Sequence, residues 1–292
     1  MQGTNARVTW TTVSNHSYEV QWRRLENLNF TNWEVFSPVI PALATGTTNY
    51  AGYTEPTKAS GFRVADIPFD CSLGATDDAS QSPYTFGPSG WPNLSNGGQG
   101  FQPWVLTSFG GLGGFFIGDS SKNSLDGSGH SGNINTGAGL KNSWGMWASK
   151  GTTNEVLRQF QCPLTTNDTL KLDMDNGLVV IPGKVGFSLR SGNSIRFQFY
   201  CTGGQPNYQI DESSGTQINT TIPVTADGLH LVFTVLDNAN HYGLSGPGWA
   251  ISGGTLSGTG PIDRIVLFDY GAGGSGSDQP NDVYFNSLQI VR

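Results

Sequence analysis

Arg190, Gln198, Tyr200 and His230 are the side-chain types that could do acid–base work together in this chain. Arginine and glutamine neutralise a substrate carboxylate, while tyrosine and histidine take up and return protons. On one surface they would suit elimination within an acidic polymer. Hydrolysis is less well provided for. A glycosidase needs two carboxylates, one kept protonated. Residues 67–292 contain only Glu155 and Glu212, far apart in sequence. Asp173 and Asp175 share a face at the ~7 Å repeat of a strand, and nothing else supports them as a dyad. No G-x-S-x-G, H-E-x-x-H or P-loop is present. His16, His130, His230 and His241 have no metal-ligand spacing.

Those side chains must be positioned by strands, in which alternate residues face opposite ways. Leu170, Leu172 and Met174 point inward, leaving Lys171, Asp173 and Asp175 outward. Val185, Phe187 and Leu189 point in, with Ser188 and Arg190 out. Ile195, Phe197, Phe199 and Cys201 point in, with Arg196, Gln198 and Tyr200 out. Leu229, Leu231, Phe233 and Val235 point in, with His230 and Thr234 out. If these strands share one sheet, its outer face carries Asp173, Arg190, Arg196, Gln198, Tyr200 and His230. Such a face suits a polar polymer; it also suits an ordinary solvated surface with cross-strand ion pairs.

The stretch 91–148 holds four of the eight tryptophans amid dense glycine. Short aromatic runs between glycine turns predict strands and tight loops. Trp144 shares a face with Met146 in the core, whereas Trp147 faces out beside Gly145 as a flat platform for a sugar ring. Trp91, Trp104 and Trp249 sit in Gly/Pro-rich loops, where binding sites are often built. Asp77 and Asp78 near the start of the large unit, and Asp278, Asn281 and Asp282 near its end, form a candidate calcium set if the terminal strands adjoin. The loop 119–126 is a second candidate. Of the three cysteines, Cys71, Cys162 and Cys201, the last two could pair; the alternative is small buried hydrophobes.

Candidate strands of the large unit are 104–108, 114–117, 143–148, 156–160, 169–174, 184–189, 195–201, 207–212, 217–222, 229–236, 241–244, 264–268 and 283–291, with a short helix possible at 154–159. In residues 1–66 they are 7–11, 17–22, 33–36, 49–52 and 61–64. D-I-P-F-D at 66–70 reads as a stiff joint. A net charge of −7, from 15 basic and 22 acidic residues, argues against nucleic acid. No apolar run approaches the ~20 residues of a membrane span. Low charge with high glycine suits an extracellular protein. The opening M-Q-G-T runs straight into a strand, so the chain is either cytoplasmic or a mature or trimmed piece of a secreted precursor, and the composition favours the second.

The order V-T-W, Y-E-V-Q-W, N-W-E-V, A-T-G, G-F-R-V in 1–66 resembles the fibronectin type III-like modules of secreted bacterial proteins. Trp10 matches their core tryptophan, and Phe62 stands where a tyrosine is usual. Few residues precede Arg7, so the first strand of that module is short, missing or supplied from elsewhere. W-x-x-L-S-N-G-G-x-G-F-x-P-W, G-G-F-F-I-G-D-S, W-G-M-W-A-S and D-V-Y-F-N-S-L-Q-I, spread through 75–292, resemble a jelly-roll module of secreted multidomain bacterial proteins. The resemblance implies a concanavalin A-like antiparallel sandwich outside the cell, and no settled activity.

The expectation is therefore an all-β chain, residues 1–66 and 67–292, acting as a secreted, non-catalytic module that binds polysaccharide or a cell-surface glycan. Its binding residues would be Trp147, Asp173, Arg190, Arg196, Gln198, Tyr200, Trp91 and Trp249, with a structural Ca2+ on Asp77, Asp78, Asn281 and Asp282. One alternative is a polysaccharide lyase using Arg190, Gln198, Tyr200 and His230, although the lyase motifs R-x-E-x-R, Q-I-H and Y-F-K-x-G are absent. The other is a surface or matrix protein that self-assembles by strand pairing.

Overall fold

The computed structural model describes residues 4–12, 17–24, 34–35, 40–41, 46–54, 59–67, 70–123, 125, 133–139, 141–212, 217–237, 240–273 and 282–292. The chain divides into two compact units, Met1–Asp70 and Cys71–Arg292.

In the first unit, β1 (Thr4–Thr12) pairs with β5 (Gly46–Thr54). Strand β2 (Ser17–Arg24) pairs with β3 (Glu34–Val35), β4 (Ile40–Pro41) and β6 (Ala59–Ile67). Alternation along β2 buries Tyr18 and Val20, and the Trp10 ring lies 6.1 Å from that of Tyr18. Strand β6 runs through Ile67, so the expected joint at residue 66 begins inside a strand.

The second unit is built from β7 (Ala75–Asp77), β8 (Val105–Phe109), β9 (Gly113–Gly118), β10 (Ser143–Ala148) and β11 (Thr153–Leu164). There follow β12 (Thr169–Asn176), β13 (Lys184–Ser191), β14 (Ser194–Thr202), β15 (Asn207–Asp211) and β16 (Gln217–Pro223). The last are β17 (Leu229–Asp237), β18 (His241–Gly246), β19 (Trp249–Thr255), β20 (Ile262–Tyr270) and β21 (Val283–Val291). They form two sheets, β19-β18-β17-β12-β21-β10-β9 with β7 added on β21, and β16-β15-β14-β13-β20-β11-β8. Every described pairing is antiparallel. Consecutive strands β10, β11, β12 and β13 fall in alternate sheets, as do β19, β20 and β21, so the chain wraps as a jelly roll around one core.

The period-two pattern explains that core. Phe187, Phe197 and Phe199 from one sheet meet Leu231, Phe233 and Phe285 from the other, all at 2% exposure or less. Each such side chain contributes about 1.5–3 kcal/mol by leaving water. Residues 154–159 are strand: Val156, Arg158 and Phe160 face in from β11, which leaves no helix there. Strand β19, whose W-A-I-S-G-G-T reads as loop, pairs with β18 through Gly246↔Trp249 to His241↔Thr255.

The tryptophan-rich stretch packs inward. Trp91, Trp104 and Trp144 form one cluster with ring centroids 5.2–6.0 Å apart. Beside it, fully buried Arg158 donates to Asp77 Oδ2 at 2.7 Å and to Asn96 Oδ1 at 2.6 Å, and lies 4.7 Å from the Trp104 ring. Tyr84 completes the group: its OH donates to Asp77 Oδ2 at 2.6 Å and accepts from Trp104 Nε1 at 2.9 Å. Burial pushes the Asp77 carboxyl up to about 6, against the downward pull of Arg158. The glycines of this stretch allow the close approach. A Cβ on Gly98 would stand 1.9 Å from the Thr76 carbonyl oxygen.

A disulfide joins Cys71 to Cys162, and Cys201 is free and buried. The candidate Cys162–Cys201 pairing is therefore replaced by Cys71–Cys162, and Cys201 is the small buried hydrophobe of the alternative. Cys201 lies on the inward face of β14, in the core, while Cys162 reaches the segment entering β7.

Candidate functional site

The strands expected to share one sheet do not. β12 and β17 lie in the eight-stranded sheet, and β13 and β14 in the seven-stranded one. Asp173 and His230 face each other across the first pair, with His230 Nδ1 2.7 Å from Asp173 Oδ1. Arg190, Gln198 and Tyr200 are on the outer face of the other sheet, so His230 cannot complete a lyase set with them.

The outer face of the seven-stranded sheet is set by register. Gly186 is opposite Tyr200, Ser188 opposite Gln198, Tyr200 opposite Gln209, and Gln198 opposite Asp211. Hydrogen bonds lock the resulting band. The Tyr200 OH donates to Asp211 Oδ1 at 2.9 Å. Gln209 Nε2 donates to Asn219 Oδ1 at 3.1 Å, and the Thr202 hydroxyl donates to Gln209 Oε1 at 2.6 Å. The Lys184 ammonium rests 3.6 Å from the Tyr200 ring centre and 4.0 Å from Asp211 Oδ2. Burial holds Lys184 below the ordinary lysine range, and burial with the Asp211 bond raises the Tyr200 phenol.

A pocket of about 400 Å3 opens on this band, walled by Lys184, Gln198, Tyr200, Asp211, Glu212 and Gln217. Glu212 enters it from strand β15's end and accepts from the hydroxyl of Tyr242, a core residue stacked on Phe233. Farther along the same face, Arg190 Nη2 donates to Glu155 Oε1 at 3.0 Å and its Nε to Ser188 Oγ at 2.8 Å. Tyr270 donates to the same Glu155 oxygen, with its ring stacked 4.5 Å from Phe268. Close approach matters once here: a Cβ on Gly186 would stand 2.1 Å from the Phe199 carbonyl oxygen and 2.7 Å from Tyr200 Cβ.

Several expected contacts are corrected. Arg196 is fully buried, because the loop after β19 closes over it and Gly260 O accepts from its Nη1. Trp91 is 2% exposed within the aromatic cluster, not a loop contact. Trp249 packs inward on the core and over Gly246. The Tyr200 ring face is occupied by Lys184, so it is no stacking platform. Trp147 does face out, half-buried, on the eight-stranded sheet; the glycine beneath its indole is Gly114 of β9, since the Phe116 ring fills the space over Gly145. Sequence reasoning missed Lys184, Asp211, Glu212 and Gln217. Asp211 and Gln217 follow the alternation of short polar strands; the core tyrosine under Glu212 leaves no sequence signal.

Among the described residues the calcium candidates Asp77, Asp78 and Asp282 do not come together. Asp77 is committed to Arg158 and Tyr84. Asp78 accepts from Ser80, Gln81 and Thr136. Strand β7 meets β21 at Leu288–Ile290, roughly 20 Å along the strand from Asp282. Asn281 and Asp278 lie outside the described residues, as does Asp126. Asp119 accepts from Ser121 and Asn135. Among the described residues no three His, Cys, Asp or Glu form a metal set. Asp175, expected outward, is fully buried; burial lifts its carboxyl to about 8 against the downward pull of the Asn123 hydrogen bond, and burial likewise lifts Asp282 to about 6. Glu155 on β11 and Asp211 on β15 stand four strands apart, about 19 Å, beyond the ~5–9.5 Å a hydrolytic pair spans, while Asp211 and Glu212 share the pocket wall.

No family model matches the chain, and no curated protein matches it. Solved structures show likeness of fold. A Bacillus licheniformis β-glucanase is 9% identical with a TM-score of 0.41, covering 74% of this chain and 98% of its own. The Caenorhabditis elegans galectin LEC-6 is 12% identical with a TM-score of 0.32, covering 45% and 89%. A sialidase is 13% identical at 0.41, covering 82% of this chain and 20% of its own. At such scores these likenesses carry no argument about ligands. The class defined by the strand pairing is the antiparallel jelly-roll sandwich with a polar pocket on one outer sheet face.

Proposed function

We propose that the second unit is a non-catalytic glycan-binding module of a secreted bacterial protein, with its site on the outer face of the seven-stranded sheet. The observation that supports this reading is the pocket: amide, carboxylate and phenol groups, held by one another, converge on a space of about 400 Å3. Pre-fixed groups of this kind suit a ligand rich in hydroxyls, which both donate and accept. The Cys71–Cys162 disulfide supports an oxidising, extracellular setting. The first unit, with the β1–β5 and β2–β6 pairings, is read as a fibronectin III-like spacer. At edge strand β8, Asn93 Oδ1 accepts from the Leu106 N–H at 3.0 Å, which caps one of the backbone groups another chain would pair with. The test is incubation with acidic and neutral polysaccharides, reading retention and products from the same tubes. Retention without new reducing ends or unsaturated sugars is expected; product release would overturn the non-catalytic reading.

A further inference from the structure

We propose that this pocket selects uncharged glycans and rejects carboxylated ones. The inference rests on the glycan-binding reading and names its ligand class. Its basis is that the cations described on this face already have oxygen partners. Arg190 is held by Glu155 at 3.0 Å, and Arg264 by Asp263 at 2.8 Å. Arg196 is sealed under the loop carrying Gly260. Lys184, with its side chain 28% exposed, sits 4.0 Å from Asp211, itself 37% exposed.

The pocket wall thus carries one cation and two carboxylates, Asp211 and Glu212, and each carboxylate has one oxygen already bound by a tyrosine hydroxyl. A sugar hydroxyl can donate to the remaining carboxylate oxygens and exchange hydrogen bonds with Gln198 and Gln217. Among the described residues, a uronate meets no cation there without an oxygen partner. It must either break Lys184 from Asp211 or approach two like charges, and repulsion at that range is strong where water is partly excluded.

The test uses soluble β-glucan, mannan, xylan and dextran, each as a hydroxyethyl and a carboxymethyl derivative of matched substitution. Binding is measured at low and at about 0.5 M salt. The hydroxyethyl form of a retained polymer is expected to bind at least about tenfold more tightly than its carboxymethyl form at low salt, with the gap closing at high salt. Asp211→Asn combined with Glu212→Gln, shown folded by an unchanged melting transition, is expected to narrow the gap. Asp237→Lys, an equal change of net charge on the other sheet, is expected to leave it intact. Carboxymethyl forms binding as well as hydroxyethyl forms, or a gap that follows net charge alone, would overturn the selectivity while leaving glycan binding standing. Retention of no polymer in either form would overturn the glycan-binding reading itself.

Discussion

Arg158 shows at the residue scale why the tryptophan-rich stretch is structural. Its guanidinium is fully buried against Asp77, so removing either partner strands a charge in the core. Arg158→Met and Asp77→Leu should each lower stability by about 3–5 kcal/mol in urea titrations, and the double substitution by clearly less than their sum. Gln198 lines the pocket from mid-strand at 5% exposure. Gln198→Ala should weaken glycan retention by about three- to tenfold, with unfolding unchanged. An unfolding midpoint that fell with it would reassign Gln198 to the fold.

Elements carry the next layer, because the pocket exists only where β13, β14 and β15 keep their register. Gly186 lets Tyr200 and the Phe199 carbonyl come close. Gly186→Val should displace Tyr200 and cost about 1–3 kcal/mol together with retention, measured by calorimetry and pull-down. Removing the disulfide, whose loop spans 91 residues, should cost roughly 4.6 kcal/mol on the chain-entropy account, seen as a lower urea midpoint in Cys162→Ser. The strands themselves were legible. Alternation in F-Q-F-Y-C and L-H-L-V-F-T-V set which residues face the core. Which sheet each strand joins was not, since period two says nothing about partners. That is why Asp173 and His230 parted from Arg190 and Tyr200. Buried polar groups were equally hidden: Asp175 keeps the outward alternation of its strand and is buried by what covers it, while Arg158 takes an inward position that its residue type does not announce.

Across the second unit, buried carboxylates give the fold a pH signature. Asp77 and Asp282 titrate near 6 and Asp175 near 8, all raised by burial from an ordinary 3.8. Between about pH 4 and those values the folded form holds more protons than the unfolded one, so stability falls as pH rises. At Asp78 and Asp119 the upward push of burial is outweighed by hydrogen bonds, so their contribution is lost as pH falls below the ordinary carboxylate range. Stability should therefore peak near pH 4 and drop by on the order of several kcal/mol by pH 8, with Asp175→Asn flattening the upper part of that fall; a maximum at pH 8 in urea titrations would refute this. The Cys71–Cys162 bridge has a mechanical meaning as well. Tension arriving from the first unit enters the second at Cys71 and passes through the sulfurs to β11, bypassing β7 and the aromatic cluster. The 91-residue span between the two cysteines is then hidden length, and a reductant should release roughly 300 Å of extra extension from a molecule stretched between its ends.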